Sequence, residues 1–242
     1  MPVQLELPPQ GVLKPNDADD PLPYYYHPLV GWLYRHRLQM GLDFLPDEPR
    51  EPSEGSHTLP RRTPLGGAEL RPRAGQRVLE VGVGSGVLVP TLTKRYAEYT
   101  GTDLTLAPGL DALVTPGCHA EFRTADLLRD GDLPAAHYDA IVCFSVLEHI
   151  RDADGAARSL ARALAPGGTL ITGYPMVSRL MTRAFALIGY DRIDDHHVCP
   201  PAKIAAALGT VLTPTRRAAF PPHAPVGVAL YQCTAWTTRT PV

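Results

Sequence analysis

The chain has 242 residues, 44% of them hydrophobic and 20% charged, with 23 Lys and Arg against 25 Asp and Glu. Such a length can bury both faces of a central sheet within one folded unit, and a net charge of -2 supplies no field to gather nucleic acid or an anionic membrane. The four cysteines, Cys118, Cys143, Cys199 and Cys233, lack C-x-x-C or any other metal-ligand spacing, which predicts free thiols in a reducing compartment and no metal site.

Residues 1 to 23 carry Pro8-Pro9, Pro15, Pro21 and Pro23 with few apolar positions, the pattern of an extended arm that orders only on docking. Met1 to Asp20 has no basic segment followed by an apolar one, and no apolar run in the chain reaches the roughly 20 residues of a membrane span, so the expected location is cytoplasmic. From Tyr24 to Leu45, Leu29, Trp32, Leu33, His36, Met40 and Leu42 recur at near-helical spacing with Arg35 and Arg37 between them, predicting one or two amphipathic helices. Pro46 to Gly67 is rich in Pro, Glu, Arg and Gly and reads as a linker. Residues 1–66 are therefore expected to form an arm and helical cap, and residues 67–242 the main domain.

Short apolar runs at Arg77 to Val81, Tyr96 to Thr102 and Tyr138 to Val146 are buried parallel-strand candidates. Between and after them lie helical patterns at Val87 to Arg95, Leu110 to Val114 and Asp154 to Leu164, the last closed by Pro166-Gly167-Gly168. Thr169 to Tyr174 reads as a further strand, Pro201 to Leu208 as a helix stopped by Gly209, and Val226 to Thr234 as a final alternating strand. Alternation of strand and helix predicts an α/β fold with a doubly wound sheet and helices on both faces.

Glu80-Val81-Gly82-Val83-Gly84-Ser85-Gly86 lies where a strand gives way to a helix, the place where open α/β sheets bind ligands. Glycines there admit positive φ and let a ligand touch backbone. The dinucleotide fingerprint needs a small residue at the position held by Val87, which weakens a nicotinamide reading. Asp103 ends the second strand candidate, where an acid can accept both hydroxyls of a ribose.

The spacing E-x-G-x-G-x-G resembles motif I of the class I S-adenosylmethionine-dependent methyltransferases. Tyr138-Asp139-Ala140-Ile141 with Val146-Leu147-Glu148-His149-Ile150, followed by Leu164-Ala165-Pro166-Gly167-Gly168-Thr169-Leu170, is similar to the signature of the small-molecule branch called type 11. The resemblance covers residues 75 to 174 well and the flanks poorly. It implies a mostly parallel seven-stranded sheet with S-adenosylmethionine as cofactor and S-adenosylhomocysteine as product. It also implies that Glu80, Gly82, Gly84, Gly86, Asp103, Leu104, Asp126, Leu127, Phe144 and Ser145 surround that cofactor. The strand end Phe144-Ser145-Val146-Leu147 lacks the [DN]-P-P-[YFW] of base-amine methylating relatives, so a small-molecule acceptor, methylated on O or N and with natural-product intermediates among the candidates, is expected rather than nucleic acid.

Methyl transfer from a sulfonium needs chiefly positioning and exclusion of water, with a base where the acceptor carries a proton. His149 and His197 are the candidate catalytic residues, and Tyr26, His149, Tyr174 and His196 the candidate substrate contacts. Adjacent His196 and His197 point to opposite sides of an extended segment, which argues against a metal there. The other readings in play are a non-catalytic cofactor-binding subunit and a methyltransferase for RNA or protein. The expected assembly is a monomer or homodimer.

Overall fold

A computed structural model describes residues 3–17, 20–46, 73–176, 198–223 and 228–239. Among them the chain forms helices α1 (Leu22–Tyr25) and α2 (Gly31–Leu42), then strand β1 (Arg73–Val81), α3 (Val89–Arg95), β2 (Tyr96–Asp103), β3 (His119–Thr124) and β4 (Tyr138–Phe144). These are followed by α4 (Ala153–Ala163), β5 (Leu164–Pro175), α5 (Pro201–Val211), β6 (Leu212–Phe220) and β7 (Tyr231–Thr238). Single 3-10 turns cover Leu110–Leu113 and Leu147–His149.

The described strands make one seven-stranded sheet in the order β3-β2-β1-β4-β5-β7-β6. The five strands from β3 to β5 run parallel, and β7 is antiparallel to both of its neighbours. The chain winds outward from β1 through β2 to β3, then returns to lay β4 on the other side of β1. The order reverses there, and a crevice opens at the carboxyl ends of β1 and β4.

Consecutive strand residues serve opposite faces. Val78, Val142, Ile171 and Ala235 pack with Leu38 and Leu42 of α2 and Leu92 of α3, whereas Leu79, Ile141, Leu170 and Trp236 pack with Leu160 of α4 and Ile204 and Leu208 of α5. This two-sided burial is what a doubly wound sheet requires. Helix α4 presents Ala153, Ala156, Ala157, Leu160 and Ala163 as one buried stripe, and the Asp152 carboxylate caps it by accepting the Gly155 N–H at 2.9 Å.

The N-terminal arm lies on this body. Gln39 of α2 grips it in both directions, its Oε1 accepting the Leu5 N–H at 2.9 Å and its Nε2 donating to the Val3 carbonyl at 2.6 Å. The Glu6 N–H donates to Thr91 Oγ1 of α3 at 2.8 Å, and Val3 and Leu13 are buried.

Several boundaries differ from the sequence reading. The final strand is Tyr231–Thr238 rather than Val226 to Thr234, because β7 is buried on both faces along Tyr231 to Trp236 and alternation does not mark its limits. Helix α5 continues through Gly209 to Val211; a Cβ at Gly209 would meet nothing within 4 Å and its φ is not positive, so nothing there ends a helix. Pro166 to Gly168 belongs to β5, helix α4 having ended at Ala163. Two strands were not anticipated, β3 and β6, and both are outermost in the sheet. The linker at residues 46–67 lies outside the described residues beyond Pro46.

Candidate active site

Strand β1 delivers its last residues into the crevice, and the chain turns sharply through three glycines with φ of 78° at Gly82, 50° at Gly84 and 84° at Gly86. Side-chain-bearing residues rarely hold this conformation. The turn is pinned to β2: the Gly82 and Val83 N–H groups both donate to the Thr102 carbonyl, at 2.8 and 3.0 Å. Asp103 completes the attachment, its Oδ2 accepting the Gly84 N–H at 2.8 Å and its Oδ1 the Leu104 N–H at 2.7 Å.

The three glycines are not equivalent. A Cβ at Gly82 would collide with Val146, and one at Gly86 would press on Leu110 and Leu113. At Gly84 it would meet nothing nearer than Asp20 Oδ2 at 3.8 Å. Gly84 is thus the one glycine of the three where a side chain would meet only ordinary contact, with Asp20 of the arm, and the loop backbone there is open to close approach.

Glu80, two residues before the first loop glycine on β1, is buried and accepts the Tyr99 hydroxyl at 2.6 Å. Burial, aided by the nearby Asp103 charge and opposed by the Tyr99 hydrogen bond, pushes its carboxyl up to about 8. Asp126 stands exposed just past β3, its Oδ1 accepting the Leu128 N–H at 2.9 Å. Leu127 is buried, whereas Leu104 is 69% exposed and free to meet a ligand. On the far side of the crevice β4 ends in Phe144 and Ser145, the serine with φ of 54° and its N–H donating to the Gly173 carbonyl at 2.7 Å. The expected cofactor residues therefore lie along the carboxyl ends of β1, β2, β3 and β4.

The expected substrate residues separate. Tyr174 is buried at the end of β5, its hydroxyl accepting the Gln232 side-chain N–H at 3.3 Å, and burial raises its phenol to about 12. Tyr26 donates its hydroxyl to the Pro8 carbonyl at 2.7 Å and so holds the arm. His149 is on the exposed side of the turn after β4, while its neighbour Glu148 is only 2% exposed. His196 and His197 lie outside the described residues.

Five residues at this edge were not anticipated. Asp20 reaches the glycine loop from the arm, hydrogen-bonded to the Ser85 side chain, and Asn16 Nδ2 donates to the Thr105 carbonyl at 3.3 Å. Arg37 sets its guanidinium over the rings of Tyr34, Tyr25 and Tyr231, at 4.3, 5.6 and 5.5 Å from the centroids. Tyr231 in turn places its hydroxyl 3.1 Å from Ser145 Oγ. Glu148 completes the group. The sequence signal for Glu148 lay in the same Leu147-Glu148-His149 run that drew attention to His149; for Arg37 and Tyr231, distant from the motifs, there was none.

The profile of a methyltransferase domain matches residues 35–207, well over half of the chain. Over 116 residues the chain is 37% identical to a ubiquinone biosynthesis O-methyltransferase of Alkalilimnicola ehrlichii, covering 44% of this chain and 42% of that protein. A Pseudomonas fluorescens protein of the same name is 32% identical over 126 residues, 50% of this chain and 53% of that one. The chain thus spans about half the length of the curated relatives it matches. In fold it is similar to the geranyl diphosphate C-methyltransferase of Streptomyces coelicolor A3(2), with a TM-score of 0.53 at 13% identity over 70% of this chain and 73% of that one. It is likewise similar to an S-adenosylmethionine-dependent methyltransferase of Mesorhizobium loti, with a TM-score of 0.50 at 14% identity over 68% and 91%. With the profile spanning both the glycine loop and the turn after β4, the chain belongs to the S-adenosylmethionine-dependent methyltransferases.

Proposed function

We propose that the protein transfers a methyl group from S-adenosylmethionine to an oxygen of a small molecule. The observation that carries this reading is the glycine loop, whose middle residue would meet only Asp20 of the arm with a side chain and whose amide is tied to the strand-end acid Asp103. A group with an amino-acid tail and a ribose fits there: Gly82 to Gly86 and Asp103 would hold it, with Leu104, Asp126, Leu127, Phe144 and Ser145 along its length. That group supplies an activated methyl on a sulfonium. Preference for oxygen over nitrogen rests on the relatives named O-methyltransferases, and the small-molecule scale on the same proteins.

The chain's own part is positional. Asp103 fixes the loop to β2, so the loop needs little rearrangement when a ligand arrives, and the arm carries Asp20 to the loop's open side. We read residues 1–66 as arm and cap over a domain of residues 67–242, with His149 and His197 as candidate proton acceptors and Tyr174 and His196 as candidate substrate contacts. No helix among the described residues is long and apolar enough to cross a membrane, and no group of three metal-ligating side chains forms among them.

Calorimetric titration with S-adenosylhomocysteine tests the reading. Binding by the wild type that Gly84→Val abolishes, with the variant still folded, is the expected result. Failure of the wild type to bind would end the proposal. Methyl incorporation from labelled S-adenosylmethionine into a panel of small hydroxylated acceptors separates a working enzyme from a cofactor-binding subunit that transfers nothing.

A further inference from the structure

Among the described residues, three buried side-chain polar atoms have no hydrogen-bond partner: Arg37 Nε, Arg123 Nε and Glu148 Oε2. A buried donor or acceptor left unpaired is expensive, and folded proteins rarely tolerate one without a reason. Arg123 is anchored elsewhere, donating to the Tyr138 hydroxyl at 3.1 Å, at the opposite end of β4. The other two are in electrostatic reach of one another and of Tyr231, the first residue of β7, which pairs with Pro175 at the carboxyl end of β5.

Arg37 comes from α2 and is held against the rings of Tyr25, Tyr34 and Tyr231, with one N–H donated to the Tyr25 hydroxyl at 3.1 Å. A guanidinium so stacked keeps its charge and its planar donor fork in a fixed orientation. Glu148 comes from the turn after β4, and the Cys199 N–H binds its carbonyl at 3.0 Å, fixing the turn from the α5 side. Tyr231 lies between them: it touches Arg37 through its ring and Ser145 through its hydroxyl, three residues before Glu148. The charges of Arg37 and Glu148 both act on Tyr231, and that of Arg37 acts on Glu148. Each nevertheless leaves a buried atom unbonded. A cation and a carboxyl in electrostatic reach that do not close on one another leave both a donor and an acceptor for a third party.

We propose that Arg37 and Glu148 are a substrate-binding pair that selects a hydroxyl compound carrying a carboxylate beside the hydroxyl, the carboxylate taking the Arg37 N–H and the hydroxyl donating to Glu148. This rests on the methyltransferase reading and narrows its acceptor from hydroxylated small molecules in general to those with an adjacent anion. Both groups are then satisfied at once, and the acceptor oxygen is oriented by its own proton. A molecule with only one of the two functions leaves the other protein group buried and unpaired, which is how such sites discriminate.

The test is calorimetry on protein saturated with S-adenosylhomocysteine, using salicylate, which has both functions, against phenol and benzoate, which have one each. The S-adenosylhomocysteine titration comes first on the same sample: its failure counts against the cofactor reading, whereas its success followed by no preference among the three probes counts against the pair. Wild type is expected to bind salicylate at least about tenfold more tightly than either comparison compound, the scale of one charge-assisted hydrogen bond. Arg37→Met should erase the preference over phenol, Arg37→Lys should restore part of it, and Glu148→Gln should erase the preference over benzoate. A purely structural role predicts lower thermal midpoints with an unchanged salicylate-to-phenol ratio. That result, or equal binding of the three probes by wild type, or no binding of any of them, overturns the proposal.

Discussion

The Gly84 amide donates to Asp103 Oδ2 at 2.8 Å while the other oxygen of the same carboxylate takes the Leu104 amide at 2.7 Å. One side chain therefore clamps two turns, the one after β1 and the one after β2, and the crevice between them has its shape before any ligand arrives. Removing Asp103 loosens the wall and takes away the acid that the proposed function sets against the ribose.

Asp103→Ala is accordingly expected to weaken S-adenosylhomocysteine binding by tenfold or more, since both a preorganised wall and a charged acceptor are lost. Asp103→Asn, which keeps one oxygen for a backbone amide, should fall between. Calorimetry at a single pH ranks the three proteins, and an Ala variant of wild-type affinity would remove Asp103 from the site.

Gly82 and Gly84 should respond differently to alanine. Both hold positive φ, which costs a residue with a Cβ about 1–2 kcal/mol, but only at Gly82 does the added methyl strike a neighbour, Val146. Gly82→Ala should lose about 2–4 kcal/mol in urea unfolding. Gly84→Ala should lose about 1–2 kcal/mol yet show the larger loss of cofactor affinity for its stability, because its methyl would point toward Asp20 and the ligand side of the loop rather than into the protein.

Glu80 and Glu148 predict a pH dependence of stability. Burial is the main cause of both shifts, and it raises the carboxyls from 4.5 to about 8 and about 7 respectively. An acid whose folded value is raised binds its proton more tightly in the fold than in the unfolded chain. Its contribution is complete below pH 4.5 and is lost as pH climbs to the folded value. Glu80→Gln and Glu148→Gln carry no such proton. Relative to wild type, each should gain in thermal midpoint between pH 5 and pH 8.5, and parallel profiles across that window would show that the carboxyls are not protonated in the fold.

Asp20 should control the arm. Its oxygens take the Asn16 and Leu22 amides at 3.1 and 2.8 Å, and it bonds Ser85 at the glycine loop. Asp20→Ala is expected to raise the rate of thermolysin cleavage in the arm by about tenfold, the scale of losing one capping interaction. Saturating S-adenosylhomocysteine should slow that cleavage in wild type more than in the variant.

What was legible in the sequence was whatever repeats a local rule. The strands β1, β2, β4 and β5 declared themselves as short apolar runs, and the glycine loop by its spacing. The outermost strands β3 and β6 did not: His119, Glu121, Arg123 and Thr124 give β3 no apolar run, and Pro214, Arg216 and Arg217 make β6 look like a loop. Pro214 is tolerated because pairing slips between it and Arg216 on an edge strand. Asp103 could be picked out because it follows a strand by a fixed offset. Arg37 could not, since its neighbours Tyr25 and Tyr231 come from α1 and β7 and only the fold brings them to it. His149 and Glu148 are adjacent, and no one-dimensional pattern tells which of the two turns inward.

Strand β7, running against its neighbours, brings Cys233 to donate its thiol to the Arg37 carbonyl across 196 residues of sequence. Bringing such distant residues together carries a loop-closure cost that contacts closer in sequence do not. Tyr25 and Tyr34 reach Arg37 from the same stretch of chain, so Tyr231 is the part of its aromatic seat that depends on β7 being in place. Without β7 the glycine turn would keep its own hydrogen bonds to β2, but the ring that joins Arg37 to Ser145 would be gone.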